Sequence, residues 1–285
     1  MCFVCNENKD SELKKCAQSK CTKYYHLTCL ENGFPYKEIS KNEFKCPLHF
    51  CLTCYGAHQD DNVFRNFNKR LVVCVKCPTA YHNIHSCIAA GSHFIDQTHI
   101  ICPEHPEKSS QGQSINVTWC FSCNINGNLL CCEKCPTAIH KECIEYNLPE
   151  GRFVCINCIK RKQLLYNDIV WVKLGSYRWW PGQIKHPSDV PLNIQQRQHD
   201  IGDFPVRFFG SHDYFWVNKG RAFLYMNGDE KRTCNSKKLL DKTFVKAMEE
   251  VTDEFIRLTS SIVLSPQPAS TLNGLTLTYS RRLKR

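Results

Sequence analysis

Near its N-terminus the chain has no apolar run that resembles a signal peptide, and nowhere does it reach the roughly 18 apolar residues of a membrane span. Neither secretion nor membrane insertion by a helix is expected. Cysteine is nearly missing from the C-terminal part. Of 21 cysteines, 20 lie between Cys2 and Cys158, and only Cys234 lies beyond. The N-terminal part therefore reads as built on its cysteines, and the C-terminal part as folding on an ordinary apolar core. At 285 residues the chain should divide into two to four small domains. A disulfide scaffold and an intracellular zinc scaffold are the two readings of so much cysteine. Zinc is favoured, because histidines fall among the cysteines at ligand-like spacing and have no role in a disulfide framework.

The ligand types recur in three octets. Residues 2–49 hold Cys2, Cys5, Cys16, Cys21, His26, Cys29, Cys46 and His49. Residues 51–105 hold Cys51, Cys54, Cys74, Cys77, His82, Cys87, Cys102 and His105. Residues 120–158 hold Cys120, Cys123, Cys132, Cys135, His140, Cys143, Cys155 and Cys158. Eight ligands make two closed four-ligand sites, which are structural rather than catalytic. The expectation is one module repeated three times, with six zinc ions. Such modules have too little apolar core to fold without metal.

Four cysteines precede the histidine in each octet. An aromatic or apolar residue stands before that histidine (Tyr25, Tyr81, Ile139) and two positions before the seventh ligand (Phe44, Ile100, Phe153). This order resembles the PHD finger rather than the RING finger. The resemblance implies cross-bracing: pairs one and three share one zinc, and pairs two and four share the other. His49 and His105 depart from the family, which usually ends in cysteine. His85 is a rival to His82 as ligand, since four residues separate His82 from Cys87. Cys131 and Cys234 are left over and read as buried thiols. The expected boundaries are a PHD-type finger at 1–50, an atypical one at 51–106, a flexible linker at 107–118 and a third finger at 119–160. Only Phe50 separates the first two octets, so those fingers should form one rigid body. The short connection after Cys158 should dock the third finger on the C-terminal domain.

Residues 159–285 carry 21 Lys/Arg and 12 Asp/Glu, a net charge of +9 against +1 for residues 1–158. That bias suits a polyanion such as DNA, or else a solvated basic face. Asp168 to Pro181, DIVWVKLGSYRWWP, alternates apolar residues as a half-buried strand does, then turns at Gly175-Ser176. Strands are also expected at 204–210, 213–217 and 221–226, which argues a small barrel within 165–260. Leu240, Phe244, Met248, Val251, Phe255 and Leu258 recur at helical spacing, with Ser236 as a possible cap. Residues 261–285 read as a disordered basic tail.

A five-stranded barrel entered through Arg178-Trp179-Trp180-Pro181 and followed by a helix resembles the PWWP domain of the Tudor-like superfamily. The resemblance implies a methyllysine cage at Tyr177, Trp180 and Phe208, with core packing as the plainer alternative. Ring quadrupoles attract a methylated ammonium that has lost its hydrogen-bonding protons. Trp171, Trp179 and Phe209 are expected in the core. Lys173, Arg178, Lys185, Arg207, Lys219, Arg221, Lys237, Lys238, Lys242 and Lys246 are candidate DNA contacts.

The three fingers, LLCCEKCPTAIHKEC among them, followed by IGDFPVRFFGSHDYFWV, resemble the central region of the NSD (nuclear-receptor-binding SET-domain) histone methyltransferases from Cys2 to about Leu258. No SET signature follows Leu258. The resemblance implies a nuclear chromatin reader without catalysis of its own, binding methylated histone H3 tail and nucleosomal DNA. The alternative is a fragment or short isoform of an NSD-type H3 lysine methyltransferase. A further alternative is a protein–protein scaffold.

Overall fold

A computed structural model describes residues 1–8, 13–31, 33–57, 70–105, 115–123, 125–146, 152–226, 228–229 and 242–264, with 261–264 described by backbone alone. The first finger pairs β1 (Leu13–Lys15) with β2 (Tyr24–His26), and β3 (Lys37–Ser40) with β4 (Glu43–Lys45). Its buried set is Cys16, Tyr25, Leu30, Phe34, Phe44 and Cys46, of which two are cysteines. The Tyr25 and Phe44 rings meet edge-on at 6.0 Å. So small a core cannot offset the entropy of ordering the chain, and metal must supply the difference.

The second finger contributes β5 (Leu71–Cys74), β6 (Ala80–His82), β7 (His93–Phe94) and β8 (His99–Ile101), in the order β6-β5-β8-β7 with β5 and β8 parallel. The third contributes β9 (Leu130–Cys131) and β10 (Ala138–Ile139). The C-terminal domain follows with β11 (Ile169–Val172), β12 (Trp180–Ile184), β13 (Phe204–Phe208), β14 (Tyr214–Val217) and β15 (Ala222–Leu224), ordered β14-β13-β12-β11-β15.

Alternation suggested a half-buried β11, but all four of its residues are buried. Val170 and Val172 face the barrel interior with Ile184, Phe204 and Val206. Ile169 and Trp171 lie on the other face, covered by the C-terminal helix and the third finger. Trp171 donates from Nε1 to the buried Asp229 carboxylate at 2.8 Å, satisfying both groups.

The fingers share the barrel's two cores. Ile88, Ala89 and Ala90 of the second finger join Tyr166 and the barrel interior. Ala90 donates its N–H to Leu164 O at 2.8 Å. Gly91 lies so near Gly202 that a Cβ there would stand 2.3 Å from the Gly202 carbonyl oxygen. Glu104 pairs with Lys219 of the barrel at 2.6 Å and accepts from Gln163 at 3.2 Å. Nearby, Arg161 lies over the Phe34 ring of the first finger at 3.8 Å. One chain of contacts thus ties the fingers, their connector and the barrel together.

The third finger docks as its short connection requires. Its Val117 and Ala138 join Trp171, Phe223, Tyr225, Phe244 and Val251. Trp119 meets Trp179 edge-on at 6.4 Å, and Phe121 meets Phe223 at the same distance. The expected linker at 107–118 is corrected in its last four residues. Asn116 donates from Nδ2 to the carbonyls of Cys132, Cys135 and Thr137, and Val117 is buried, so 115–118 belong to the folded unit.

The helix runs Lys242–Leu264, past the expected boundary at 260. It buries Phe244, Ala247, Met248 and Val251. Ser236 and Leu240 lie outside the described residues, as do Cys234 and 265–285.

Candidate functional site

The structure gathers the predicted metal ligands into tetrads. Cys2, Cys5, His26 and Cys29 form one, and Cys16, Cys21, Cys46 and His49 a second. Cys51, Cys54, His82 and Cys87 form a third, and Cys74, Cys77, Cys102 and His105 a fourth. Cys120, Cys123, His140 and Cys143 form a fifth, and in all five the ligand atoms lie within 4.8 Å of one another. In the third finger Cys135 Sγ stands 3.6 Å from Cys155 Sγ, and both Cys132 and Cys158 contact that pair. Pair one joins pair three, and pair two joins pair four. His82 enters its tetrad; the rival His85 stacks instead on His186 of the barrel at 3.9 Å.

The separations fit zinc. Bonds of about 2.3 Å to sulfur and about 2.0 Å to nitrogen give tetrahedral edges of about 3.5–3.8 Å. Cys21–Cys46 is 3.8 Å, while Cys54–Cys87 and Cys77–Cys102 are each 3.7 Å. Cys5, Cys54 and Cys123 lie 3.5, 3.4 and 3.3 Å from Nδ1 of His26, His82 and His140. A disulfide would need about 2.05 Å between sulfurs. Backbone amides donate to the first sulfur of several pairs, as from His26 and Val4 to Cys2 and from Cys46 and Gln18 to Cys16. Such donors stabilise a thiolate and orient it. Crowded thiols compete for one negative charge. The Cys54 and Cys87 thiols beside Cys51 hold it down at about 2, while Cys54 itself is pushed far up. A divalent cation removes that conflict by letting every thiol ionise.

Cys131 is exposed rather than buried, because its neighbour Cys132 turns inward as the ligand. Gly127 passes beside His140, where a Cβ would stand 2.7 Å from Nε2.

Trp180 opens β12 and Phe208 closes β13. The pairing of Gly182 with Phe208 puts both rings on one sheet face at one end. Gly182 leaves room there, since its Cβ would stand 2.5 Å from Val206 and 3.5 Å from the Phe208 ring. Trp180 is held by its Nε1 donating to Phe209 O at 2.9 Å and by Phe244 edge-on at 5.0 Å. Tyr177 sits in the arch between β11 and β12 and is 75% exposed, whereas Phe208 is 5% exposed. Beside Phe208 lies Phe215, 46% exposed, with ring centroids 6.1 Å apart. Sequence reasoning passed over Phe215 because Tyr214 to Val217 is an unbroken aromatic and apolar run that singles out none of its members.

The basic candidates do not act alike. Lys219 pairs with Glu104 at the seam with the second finger. Lys173 donates to the Tyr177 carbonyl, and Arg178 lies over Phe244 at 4.7 Å. Lys185 is half-buried; burial first, and the Arg207 charge second, push its ammonium pKa down. Arg207 and Arg221 are half-buried, and Lys242 is exposed at the start of the helix. Lys246 pairs with Glu250 at 3.7 Å. Lys237 and Lys238 lie outside the described residues.

Comparison with known proteins agrees with this architecture. The PWWP domain model matches residues 167–256. The NSD-like histone-lysine N-methyltransferase PHD zinc finger matches 1–49, and the corresponding variant PHD zinc finger matches 65–107. The chain is 43% identical over 260 residues to the mouse "Histone-lysine N-methyltransferase, H3 lysine-36 specific", covering 90% of this chain and 10% of the relative. It is 37% identical over 309 residues to mouse "Histone-lysine N-methyltransferase NSD3", covering 90% of this chain and 21% of that one. It thus spans between about a tenth and a fifth of the length of these relatives. The solved second PWWP domain of WHSC1L1 is 51% identical over 36% of this chain and 91% of that chain, with a TM-score of 0.31. Zinc-finger models over tetrads of this geometry make the chain a zinc-binding protein, and with PHD fingers and a PWWP barrel matching NSD-type relatives along most of its length, it belongs to the NSD family.

Proposed function

We propose that this chain is a nuclear chromatin reader that binds a methylated histone H3 tail and nucleosomal DNA together, without catalysis of its own. The observation that carries the reading is the aromatic end of the barrel. Trp180 and Phe208 share one sheet face there, beside the exposed Tyr177. Rings so placed favour a cation whose hydrogen-bonding protons have been replaced by methyl groups. Arg178, Lys242 and Lys246 lie on or beside the helix that backs Trp180 and supply phosphate contacts. Lys173, Lys185, Arg207 and Arg221 are secondary candidates. Phosphate contacts give salt-sensitive affinity and the aromatic site gives selectivity for the mark. Joining the two raises avidity without further contacts.

The second finger seats at Tyr166, His186 and Gly202, the end of β12 and β13 away from Trp180 and Phe208. Docking there leaves the aromatic end to the ligand. The tetrads hold six zinc ions, two per finger, and zinc's role is to fix the fold. Fingers one and two serve as structure. In the second, β5 lies between β6 and β8, so an extended peptide finds no free edge on that strand. In the third, β9 pairs only with β10 among the described residues, and an H3 N-terminus or a partner peptide could add there as a strand.

A second reading comes from the relatives, which are named as methyltransferases. Within a longer chain this module would aim a catalytic unit at nucleosomes that already carry the mark. Both readings predict the same binding. Zinc-loaded protein is titrated with nucleosomes, unmodified or carrying a trimethyl mimic at H3 lysine-36, at two salt concentrations. Affinity for both should fall with salt, while the gain from the mark should persist. Equal affinity for both nucleosomes at both salts would refute the reading.

A further inference from the structure

The aromatic site as inherited from the family pattern has a weak member. Phe208 is 5% exposed, so most of its face is already covered. Its β13 neighbour Val206 pairs with Phe215 on β14. Side chains two apart on a strand share a face, as do residues directly paired across strands. Trp180, Phe208 and Phe215 therefore project from the same side of the sheet. Phe215 meets Phe208 edge-on at 67° and remains 46% exposed. A single exposed phenylalanine needs no explanation. Here the exposed ring stands beside the one residue of the expected cage that offers little surface.

Its position is also held firmly. The β13–β14 turn is closed by Phe208 N–H donating to Asp213 O at 2.9 Å and by His212 N–H donating to Phe208 O at 3.1 Å. Glu250 of the C-terminal helix accepts from Gly210 N–H and from His212 Nε2, each at 2.8 Å. Gly210 itself lies against the helix, where a Cβ would stand 2.5 Å from Thr243 O. An aromatic on so fixed a hairpin loses little freedom when a ligand arrives, which favours affinity.

We propose that Phe215 is a specificity-determining residue of the barrel site, supplying the accessible aromatic wall next to Phe208 for a methylated lysine ammonium. The proposal rests on the methyllysine reading above and goes beyond it in naming the residue that touches the ligand. Phe208 then acts as the support behind Phe215, while Trp180 and Tyr177 supply the other faces.

The test is a substitution series on zinc-loaded protein, with nucleosomes bearing the trimethyl mimic or none. Phe215→Leu keeps an apolar contact with Phe208 and removes the ring quadrupole. Phe215→Trp keeps an aromatic face. Trp180→Ala serves as the control for the site as a whole. Phe215→Leu should cut the gain from the mark by about three- to fivefold, the worth of one exposed cation–aromatic contact. Phe215→Trp should retain the gain. Binding to unmodified nucleosomes and the melting temperature should be unchanged in both. If Phe215→Leu keeps the full gain while Trp180→Ala loses it, the reader stands and the assignment of Phe215 is wrong. If Trp180→Ala also keeps the gain, the methyllysine reading falls and this inference falls with it.

Discussion

Replacing Gly91 by alanine should loosen the second finger from the barrel. Gly91 has φ +83°, and an added Cβ would stand 2.3 Å from the carbonyl oxygen of Gly202 and 2.8 Å from its carbon. Non-bonded carbons prefer about 3.5 Å, so the two backbones must separate by about 1 Å. The left-handed conformation costs an alanine about 1 kcal/mol more than a glycine. Separation also strains the 2.8 Å bond from Ala90 N–H to Leu164 O and the stack of His85 on His186. Each such contact is worth about 1 kcal/mol, giving a total loss of about 3 kcal/mol at this seam. Gly56 supplies the control. It lies in the helix Leu52–Ala57 with nothing within 4 Å of its Cβ position, so Gly56→Ala should be neutral or slightly stabilising. The assay is hydrogen exchange of the Ala90 amide with a thermal melt, both on zinc-loaded protein. A Gly91→Ala variant that melts like the parent and keeps Ala90 protected would refute the docked arrangement.

Other perturbations have equally definite outcomes. Chelating zinc should unfold the fingers and also lower the melting temperature of the barrel, since Ile88 to Ala90, Val117 and Ala138 complete its two cores. Circular dichroism with zinc added back reads this, and an unaltered barrel melt would contradict it. Asp168 is a pH probe. Burial pushes its carboxyl up to about 7, outweighing the stabilising bond from Leu165 N–H. Its protonated form suits the fold, so its contribution is full at acid pH and is lost as pH rises through about 7. Asp168→Asn can still accept from Leu165 and should gain stability over the parent as pH rises from about 4 to 7, then hold level. Melting curves with a constant difference across that window would show that Asp168 does not titrate in this way.

Much of the fold was legible because the chemistry that builds it leaves local marks. Zinc ligands must come in close pairs, so the three octets could be read from spacing, while their cross-bracing into tetrads followed from the resemblance to the PHD finger and His82 over His85 from the tyrosine that precedes it. The barrel strands could be read from apolar alternation and turn residues. Contacts between distant segments left no such mark. Nothing near Lys219 announces Glu104, and a basic residue next to Gly220 looks like any solvated charge. The approach of Gly91 to Gly202 joins segments more than a hundred residues apart, and each glycine alone reads as a turn. Residues 115–118 resembled linker because their hydrogen bonds run to backbone carbonyls of the third finger and, at Gly220, of the barrel, which carry no sequence signal. The same limit applies to Phe215. Phe215 stays exposed on β14, the edge strand of the sheet, while its neighbours in the strand, Tyr214 and Trp216, make the segment look uniformly aromatic.

Under the proposed function the aromatic end of the barrel reads a methylated lysine, and the surrounding charge supplies DNA affinity. The most direct measurement is the affinity of Trp180→Ala for nucleosomes with and without the trimethyl mimic, at one moderate salt concentration, beside the parent protein. Trp180 is held by Phe209 O and Phe244 rather than by a zinc ligand, so the fingers should remain intact in the variant. The parent should prefer the marked nucleosome, and the variant should bind both equally, at the parent's affinity for the unmarked one. A variant that keeps the preference, or a parent that has none, would contradict it.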